Sequence, residues 1–111
     1  MKCPCVDILA NRRGGAMYVG VTSNLFGRIS LHKQKLIPGF TKRYGVTRLV
    51  YYETHALMAD AIAREKQLKR WQRPWKFRLI GQMNPEWADL IDETAGAIRA
   101  GPADVARFAA K

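Results

Sequence analysis

The sequence predicts an α+β fold in which helices flank a small three-stranded antiparallel sheet. Two short β-prone runs, CVDILA (5–10) and AMYVGV (16–21), lie on either side of the turn signal NRRGG (11–15), a pattern typical of a β-hairpin. A third run rich in Val, Leu and Tyr, VTRLVYYE (46–53), follows the first helical segment. The predicted order β-β-α-β-α-α therefore describes a short sheet with helices packed on it.

The first helix is predicted to begin after Ser23 or Asn24, because either side chain can accept a hydrogen bond from the first helical turn. Its apolar residues are Leu25, Ile29, Leu31 and Leu36. A loop is expected over IPGFTKRYG (37–45), where proline and glycine interrupt the helical pattern.

Further helices are predicted after the third strand. The longest, ALMADAIAREKQLKRW (56–71), is expected to open at Thr54 or His55 and is rich in strong helix formers. A proline marks the break before PWKFRLIGQM (74–83), and another suits the first turn of a helix over PEWADLIDE (85–93).

The length and composition fit one globular domain. The chain has 111 residues, of which 48% are hydrophobic and 25% charged, which is ordinary for a soluble protein. We expect a single domain over 1–93 and an Ala-rich tail over 94–111 that forms either a short helix or a loose end. No apolar run approaches the roughly 20 residues of a membrane-spanning helix. The N-terminus lacks the features of a signal peptide, so a cytoplasmic location is expected.

The charge is distributed unevenly along the chain. Residues 1–80 carry sixteen Lys and Arg against four acidic residues, a net charge of +12, whereas residues 81–111 carry three against five, a net charge of −2. So basic a body suits a polyanion, because each phosphate contact releases counterions. Nucleic acid is the favoured partner. An anionic membrane surface is less favoured, since no basic amphipathic helix with an aromatic face is evident.

Two predicted helices carry ionisable residues on the face that should be buried. On the first helix this face reads Leu25, Arg28, Ile29 and His32. On the long helix it reads Leu57, Ala61, Ile62, Glu65 and Leu68. Burying such groups without partners would cost several kcal/mol. Either Arg28 and Glu65 form an ion pair with each other, or these residues bind a charged ligand.

The segment MYVGVTSNLFGRISLHK (17–33) resembles the second half of the GIY-YIG nuclease core. Tyr18, with the Val and Gly that follow it, matches the Tyr-Ile-Gly element. Arg28 lies ten residues after Tyr18, and His32 four residues after Arg28, as the family pattern requires. AIAREKQLKRW (61–71) is similar to the later helix of the family, whose metal-binding glutamate corresponds to Glu65. The resemblance covers about residues 5 to 80, and extends to about 93 if MNPEWADL is included. It is closest to the small stand-alone bacterial members.

The resemblance implies a metal-dependent endonuclease that hydrolyses DNA phosphodiester bonds, in repair or recombination. Glu65 would hold Mg²⁺ or Mn²⁺ together with waters and phosphate oxygens. Arg28 would bind the phosphate and stabilise charge in the transition state. Tyr18 would act as general base or orient the attacking water. His32 would hold Tyr18, transfer a proton or contact phosphate.

One position departs from the family pattern. The first element should read roughly Gly-Ile-Tyr, but the alignment gives Cys5-Val6-Asp7, so Asp7 replaces the first tyrosine of the motif. An acid there could bind metal, pair with a base or disrupt the site. The alternative function is therefore a nucleic-acid-binding module that keeps the fold and the basic surface but does not cleave. A role on RNA is a third hypothesis, although no RNA-recognition signature supports it.

Basic and aromatic residues outside the motif are candidates for contacts to DNA, including branched or damaged DNA. The candidates for phosphate contacts are Arg12, Arg13, Lys42, Arg43, Lys69, Arg70, Arg73 and Lys76. Tyr44, Trp71 and Trp75 could stack on bases of an unpaired strand. For the two tryptophans, packing in the core is the favoured alternative.

Overall fold

The computed structural model describes residues 3–34, 43–92 and 97–98. Its main sheet has three strands, β1 (Cys5–Ala10), β2 (Met17–Thr22) and β3 (Arg48–Thr54), in the order β2-β1-β3. Both neighbouring pairs are antiparallel. The predicted α+β class and three-stranded antiparallel sheet are therefore confirmed.

The central strand β1 is buried along its whole length because a neighbouring strand pairs with each of its edges and helices cover the sheet. Its register places Asp7 opposite Gly20 of β2 and opposite Tyr52 of β3. The pairing with β3 shifts between Ile8 and Leu9. Asp7 is the one charged residue of β1, and it is fully buried.

The β1–β2 hairpin closes through a turn that its own polar groups stabilise. The side-chain oxygen of Asn11 accepts a hydrogen bond from the amide of Ala16 at 2.9 Å, and the amide of Gly15 donates to the carbonyl of Arg12 at 3.0 Å. Gly14 has a φ of 69°, a conformation that glycine adopts without steric cost. The predicted turn over 11–15 therefore has the expected chemistry.

Helix α1 (Leu25–Lys33) follows the hairpin. The amide of Gly27 donates to Oδ1 of Asn24 at 3.1 Å, so Asn24 is the capping residue of the two alternatives. Leu25 and Ile29 are buried, whereas Leu31 is exposed and does not belong to the core. Leu36 and most of the predicted loop, residues 37–42, lie outside the described residues.

Helix α2 (Met58–Arg70) packs against β1 and β2. The prediction that it opens at Thr54 or His55 was wrong: Leu57 is the residue before its first turn, and its side chain makes no capping bond. Ala61 and Leu68 are buried, as predicted.

Leu57 and Ile62 are 62% and 38% exposed, so their predicted place in the core was wrong. The residues of α2 that the structure buries fully lie along a narrow strip of the helix. Periodicity alone overestimated the width of that strip.

Helix α3 (Arg73–Met83) confirms the helix predicted over 74–83, and the proline predicted to mark a break before it lies in its first turn. The further helix predicted over 85–93 was wrong. Trp87 has a φ of 54°, and the chain instead continues into a short strand β4 (Ile91–Asp92) that pairs antiparallel with β5 (Ala97–Ile98).

Buried side-chain hydrogen bonds replace the predicted helix. The side-chain amide of Asn84 donates to the carbonyls of Val50 and Ala88, and its oxygen accepts from the amide of Ala88. The amide of Leu90 donates to the carbonyl of Leu49 at 2.8 Å. These bonds attach the segment after α3 to β3. The short helix proposed after Gly101 lies outside the described residues.

Candidate functional site

The fully buried carboxylate of Asp7 is the centre of a charged cluster. Arg28 reaches it from the first turns of α1: Nε donates to Oδ2 at 3.0 Å and Nη2 to Oδ1 at 3.4 Å. The Arg28 side chain is only 17% exposed. Such two-point contact between guanidinium and carboxylate is the strong form of ion pair, because both groups are planar and their spacings match. Arg28 is therefore held against the middle of the sheet.

Gly20 provides the space that Arg28 occupies. It is the strand partner of Asp7, and partners in an antiparallel pair present the same face. A Cβ built on Gly20 would lie well inside 3.0 Å of the Arg28 guanidinium, closer than real Cβ atoms approach other heavy atoms. Arg28 can therefore take this position only because the third residue of the Tyr-Val-Gly element is a glycine and has no side chain.

Tyr18 lies two residues before Gly20 on β2, with two cations at its ring. Cζ of Arg28 lies 5.6 Å from the ring centroid, and Nζ of Lys69 lies 5.8 Å from it. Both distances are in the range of cation–π attraction. The ring thus lies beside a residue of α1 and a residue of α2.

Glu65 lies on the same face of α2 as the buried residues Ala61 and Leu68, and its side chain is 14% exposed. Nζ of Lys69 lies 2.8 Å from its Oε2, an ion pair one helical turn apart. The alternative of an Arg28–Glu65 ion pair was therefore wrong, because Arg28 pairs with Asp7 and Glu65 pairs with Lys69.

The charge state of Asp7 is set by opposing effects. Burial raises the pKa of its carboxyl above the ordinary value, because the charged form loses hydration. The guanidinium of Arg28 and its hydrogen bonds lower the pKa, and the negative charge of Glu65 raises it again. The contacts that join Glu65 to this cluster run through Lys69, which pairs with Glu65 and lies at the Tyr18 ring.

A model of the "GIY-YIG catalytic domain" matches residues 3–78, which include Asp7, Tyr18, Arg28 and Glu65. The chain belongs to the GIY-YIG family. UPF0213 proteins of Staphylococcus aureus strains Mu3, Mu50 and N315 are each 30% identical to it over 66 residues, 60% of this chain and 80% of the relative. No solved structure matches it. A GIY-YIG catalytic domain indicates a nuclease-type function.

The GIY-YIG residues predicted from the sequence are distributed over three elements. Tyr18 on β2, Arg28 on α1 and Glu65 on α2 come together through Asp7 and Lys69. His32 lies in α1, one turn after Arg28, and its side chain is outside the described part of the chain.

The donors for a divalent ion at this GIY-YIG site are few. Among the described residues, no three His, Cys, Asp or Glu side chains come together as a metal-binding group. Mg²⁺ commonly takes only one or two protein carboxylates and keeps several waters, so Glu65 alone is compatible with it. The ammonium of its present partner, Lys69, belongs to a side chain that is 49% exposed and can be replaced by another cation.

A second buried charged cluster was missed from the sequence. Glu53 of β3 is 4% exposed and accepts hydrogen bonds from the Tyr51 hydroxyl and from Nε of Arg64, the latter at 2.8 Å. Nε2 of His55 lies 3.0 Å from Glu53 Oε1, so His55 belongs to this cluster and not to a helix start. The sequence signal that could have revealed this cluster was Glu53, an acidic residue that lies at the end of a β-prone run and next to a tyrosine.

This Glu53 cluster links β3 to the residue next to Glu65. Cζ of Arg64 also lies 5.2 Å from the ring centroid of Trp71. Burial and the adjacent charge of Glu53 raise the pKa of Tyr51, so its hydroxyl remains a donor to Glu53. The cluster therefore ties α2, and with it Glu65, to the edge strand of the sheet.

The basic residues proposed for phosphate contacts differ in their environment. Six of them are exposed: Arg12, Arg13, Arg43, Lys69, Arg70 and Arg73. Arg73 donates to the carbonyls of Gly14 and Gly15 and so braces the hairpin turn against α3. Lys76 is half-buried, and burial and the nearby Arg73 lower its pKa. Lys42 lies outside the described residues.

None of the helices in the described ranges combines the length and the apolar character needed to cross a bilayer.

Proposed function

We propose that this GIY-YIG protein is a divalent-metal-dependent endonuclease that hydrolyses DNA phosphodiester bonds, in the cytoplasm and in the context of repair or recombination. The domain that does so would span residues 1–93. One observation supports the proposal above all: Tyr18, Arg28 and Glu65 lie in one cluster. The fold brings them together although Glu65 follows Tyr18 by 47 positions in the sequence.

Arg28 would bind the scissile phosphate. Nε and Nη2 donate to Asp7, and among the described residues Nη1 makes no hydrogen bond, so it is available to a phosphate oxygen. A guanidinium fixed in this way needs no reorganisation as negative charge grows on the pentacoordinate phosphorus. Asp7 would then act as a positioning residue for Arg28.

Tyr18 would accept a proton from the attacking water, or orient it, as the new P–O bond forms and the bond to the leaving oxygen breaks. As a base Tyr18 would have to act as a phenolate, whose negative charge Arg28 and Lys69, the two cations at its ring, would stabilise until it accepts the proton. His32, one turn after Arg28, is proposed to hold Tyr18 or to transfer the proton.

Glu65 would hold Mg²⁺ or Mn²⁺, with Lys69 displaced from the carboxylate. A bound divalent ion would supply Lewis acidity at a phosphate oxygen. Lys69 would then be available to contact the DNA backbone, together with the other exposed cations Arg12, Arg13, Arg43, Arg70 and Arg73. Lys76 and Lys42 complete the proposed set.

A second candidate function is DNA binding without cleavage. The observation that favours it is the Asp7–Arg28 pair, because a carboxylate here offsets the positive charge that a phosphate would meet. In this case the protein would use its fold and its cationic surface to bind DNA without cleaving it.

The test is a nicking assay on supercoiled plasmid and labelled branched duplexes, in Mg²⁺, Mn²⁺ or chelator. We expect metal-dependent cutting by the parent and a loss of about 100-fold or more in Tyr18→Phe, Arg28→Gln and Glu65→Gln, the range for removal of a transition-state group. Asp60→Asn, at an exposed acid on the same helix as Glu65, is the matched control.

Cutting that Glu65→Gln leaves unchanged would refute the assigned site. Binding without cutting by the parent, with cutting gained in Asp7→Tyr, would establish the second candidate instead. Preference for RNA over DNA of the same sequence in competition would redirect the proposal to RNA.

A further inference from the structure

Two tryptophan rings meet where α2 gives way to α3. The centroids of Trp71 and Trp75 are 5.9 Å apart and their planes make an angle of 82°, an edge-to-face arrangement. Trp71 is half-buried against the core and Arg64 lies over its ring, whereas Trp75 is 51% exposed. One ring is therefore fixed, and it supports a second ring that faces solvent.

The two rings open onto a small cavity. It has a volume of about 230 Å³ and is lined by Trp71, Trp75, Arg78, Leu79 and Gln82. This is below the 300–1,000 Å³ of pockets that enclose drug-sized ligands. The lining combines flat aromatic surface with a guanidinium and a side-chain amide, which can donate to and accept from the edge of a planar heterocycle.

The surroundings of the cavity are strongly cationic. The segment KRWQRPWKFR (69–78), which contains both rings, has five basic residues and no acidic one. An apolar partner protein would gain nothing from this charge, whereas a nucleotide carries both a flat base and a phosphate. Charge complementarity therefore favours a nucleic-acid strand as the occupant.

The position of the cavity suits a substrate of the proposed site. Glu65 lies on α2 and Trp71 directly follows the last residue of that helix, six residues later, which corresponds to about 9 Å of helical rise. A DNA strand that passes Glu65 can therefore continue to the tryptophans within a few nucleotides. Arg64, next to Glu65, also contacts the Trp71 ring and fixes the two sites relative to each other.

We propose that the Trp71–Trp75 cavity binds one unpaired base of the DNA substrate, stacked on the exposed face of Trp75, with Arg78 and Gln82 at its edge. This inference rests on the proposed DNA substrate and specifies its structure. A protein with such a site prefers DNA that offers an unstacked base, at a branch, gap or single-stranded extension, over continuous duplex.

The experiment measures binding in chelator, so that cleavage does not enter the result. Fluorescence anisotropy gives the affinity for three labelled DNAs of equal charge: a duplex with a thymidine extension, the same duplex with an abasic extension, and a continuous duplex. We expect the parent to bind the thymidine extension about tenfold more tightly than the abasic one, within the range of base–aromatic stacking.

Trp75→Ala and Arg78→Gln are expected to lose most of this preference, while Trp75→Phe keeps part of it. Leu57→Ala, at a more exposed apolar residue just before the other end of α2, is expected to keep it in full. Arg12→Gln, at an exposed cation, is expected to weaken binding to all three DNAs equally. Circular dichroism and thermal unfolding of each variant check that the fold is retained.

Tryptophan fluorescence supplies a second readout that needs no labelled DNA. Trp87 is 4% exposed, so Trp71 and Trp75 are the rings that a base can reach among the protein's three tryptophans. The thymidine extension is expected to quench the parent more strongly than the abasic extension does, and to lose this difference in Trp75→Ala.

Equal affinity of the parent for the thymidine and abasic extensions would overturn the inference, even if metal-dependent nicking were established. A preference that Trp75→Ala retains would also overturn it. A dimer of the parent that is seen in sedimentation and that dissociates in Trp75→Ala would overturn it too, because a second copy of the chain would then occupy the cavity. Failure of the parent to bind any DNA would reject the inference and the proposed function together.

Discussion

Arg28 occupies the space where a side chain on Gly20 would begin. A Cβ at position 20 would overlap its guanidinium, while the same guanidinium is held by Asp7 at 3.0 Å on the adjacent strand. The orientation of Arg28 is therefore determined by two residues of the sheet, one through a missing side chain and one through a charge.

Replacement of Gly20 by alanine tests this relationship. Because the end of a long side chain shifts at lower cost than a strand of the sheet, Gly20→Ala is expected to displace the guanidinium from Asp7. We expect a loss of about 1–3 kcal/mol in the free energy of unfolding, as the buried carboxylate loses hydrogen bonds. Nicking should fall about 100-fold or more. Urea unfolding and the plasmid assay measure the two effects.

Gly81→Ala is the control for Gly20→Ala. Gly81 lies within α3, and a Cβ there would meet nothing within 4 Å. Alanine at this position should stabilise the protein by about 0.5–1 kcal/mol, since glycine is a poor helix former. If Gly20→Ala behaved like Gly81→Ala, the steric role of Gly20 would be rejected.

The burial of Asp7 predicts an unusual dependence of stability on pH. Its folded pKa is raised above the unfolded value of about 3.9. Its contribution to stability is therefore full below that pH and is lost as the pH rises through the folded pKa. Relative to Asp7→Asn, the parent should lose stability as the pH rises above about 4, as measured by urea unfolding at each pH.

The control for this titration is Asp60→Asn, which removes one exposed negative charge from a strongly basic chain. The difference between parent and Asp60→Asn should lack this loss as the pH rises. A parent that became more stable relative to Asp7→Asn with rising pH would show that Arg28 outweighs the burial of Asp7.

The Glu53 cluster predicts a large effect of a conservative substitution. Glu53→Gln keeps the shape of the side chain but leaves Arg64 and His55 without a charged partner. We expect a loss of about 3 kcal/mol in the free energy of unfolding. This is the lower end of the range for breaking a buried ion pair, because the Arg64 side chain is 24% exposed and water can partly compensate its charge. Chemical denaturation measures it.

Glu86→Gln provides the comparison for Glu53. Glu86 pairs with Arg13 at 3.5 Å, and both side chains are largely exposed. This substitution should change stability by less than about 0.5 kcal/mol. Similar effects of the two substitutions would mean that the Glu53 cluster does not stabilise the attachment of α2.

The hydrogen bonds of the Asn84 side chain predict that this residue holds the segment after α3 in place. Asn84→Ala leaves the carbonyls of Val50 and Ala88 and the amide of Ala88 without their partner, so we expect a loss of about 3 kcal/mol. Asn84→Asp should also destabilise, because a carboxylate cannot donate to the two carbonyls. Thermal unfolding and hydrogen exchange at Leu90, whose amide bonds to β3, report the result.

The matched control for Asn84 is Gln72→Ala. Gln72 precedes α3 as Asn84 follows it, but its side chain makes no capping bond. Its removal should change stability by less than about 0.5 kcal/mol. A neutral Asn84→Ala would imply that backbone contacts alone position the segment.

Local patterns were reliable where the deciding contacts are close in sequence. The hairpin depends on Asn11 and Gly14, and the start of α1 depends on Asn24, whose side chain bonds to an amide three residues later. The helix predicted over 85–93 failed because its backbone bonds to β3, more than thirty residues earlier. Propensity and capping signals contain no information about such partners.

The candidate site shows the same difference between features that are local in sequence and contacts that only the fold creates. Spacing and resemblance selected Tyr18, Arg28 and Glu65, and the structure brings them together around shared charges. Their ionic partners could not be read from the sequence: the expected alternative was Arg28 with Glu65, but Arg28 pairs with Asp7 and Glu65 with Lys69.

By itself the sequence determined the class of fold, the basic character and the motif residues, because periodicity, charge and spacing are properties of the chain. The tertiary structure alone decided that Asp7 faces Arg28, that Gly20 makes room for it and that Glu53 anchors Arg64. The physical reason is that strand register and helix packing set these distances, and both depend on the whole core at once.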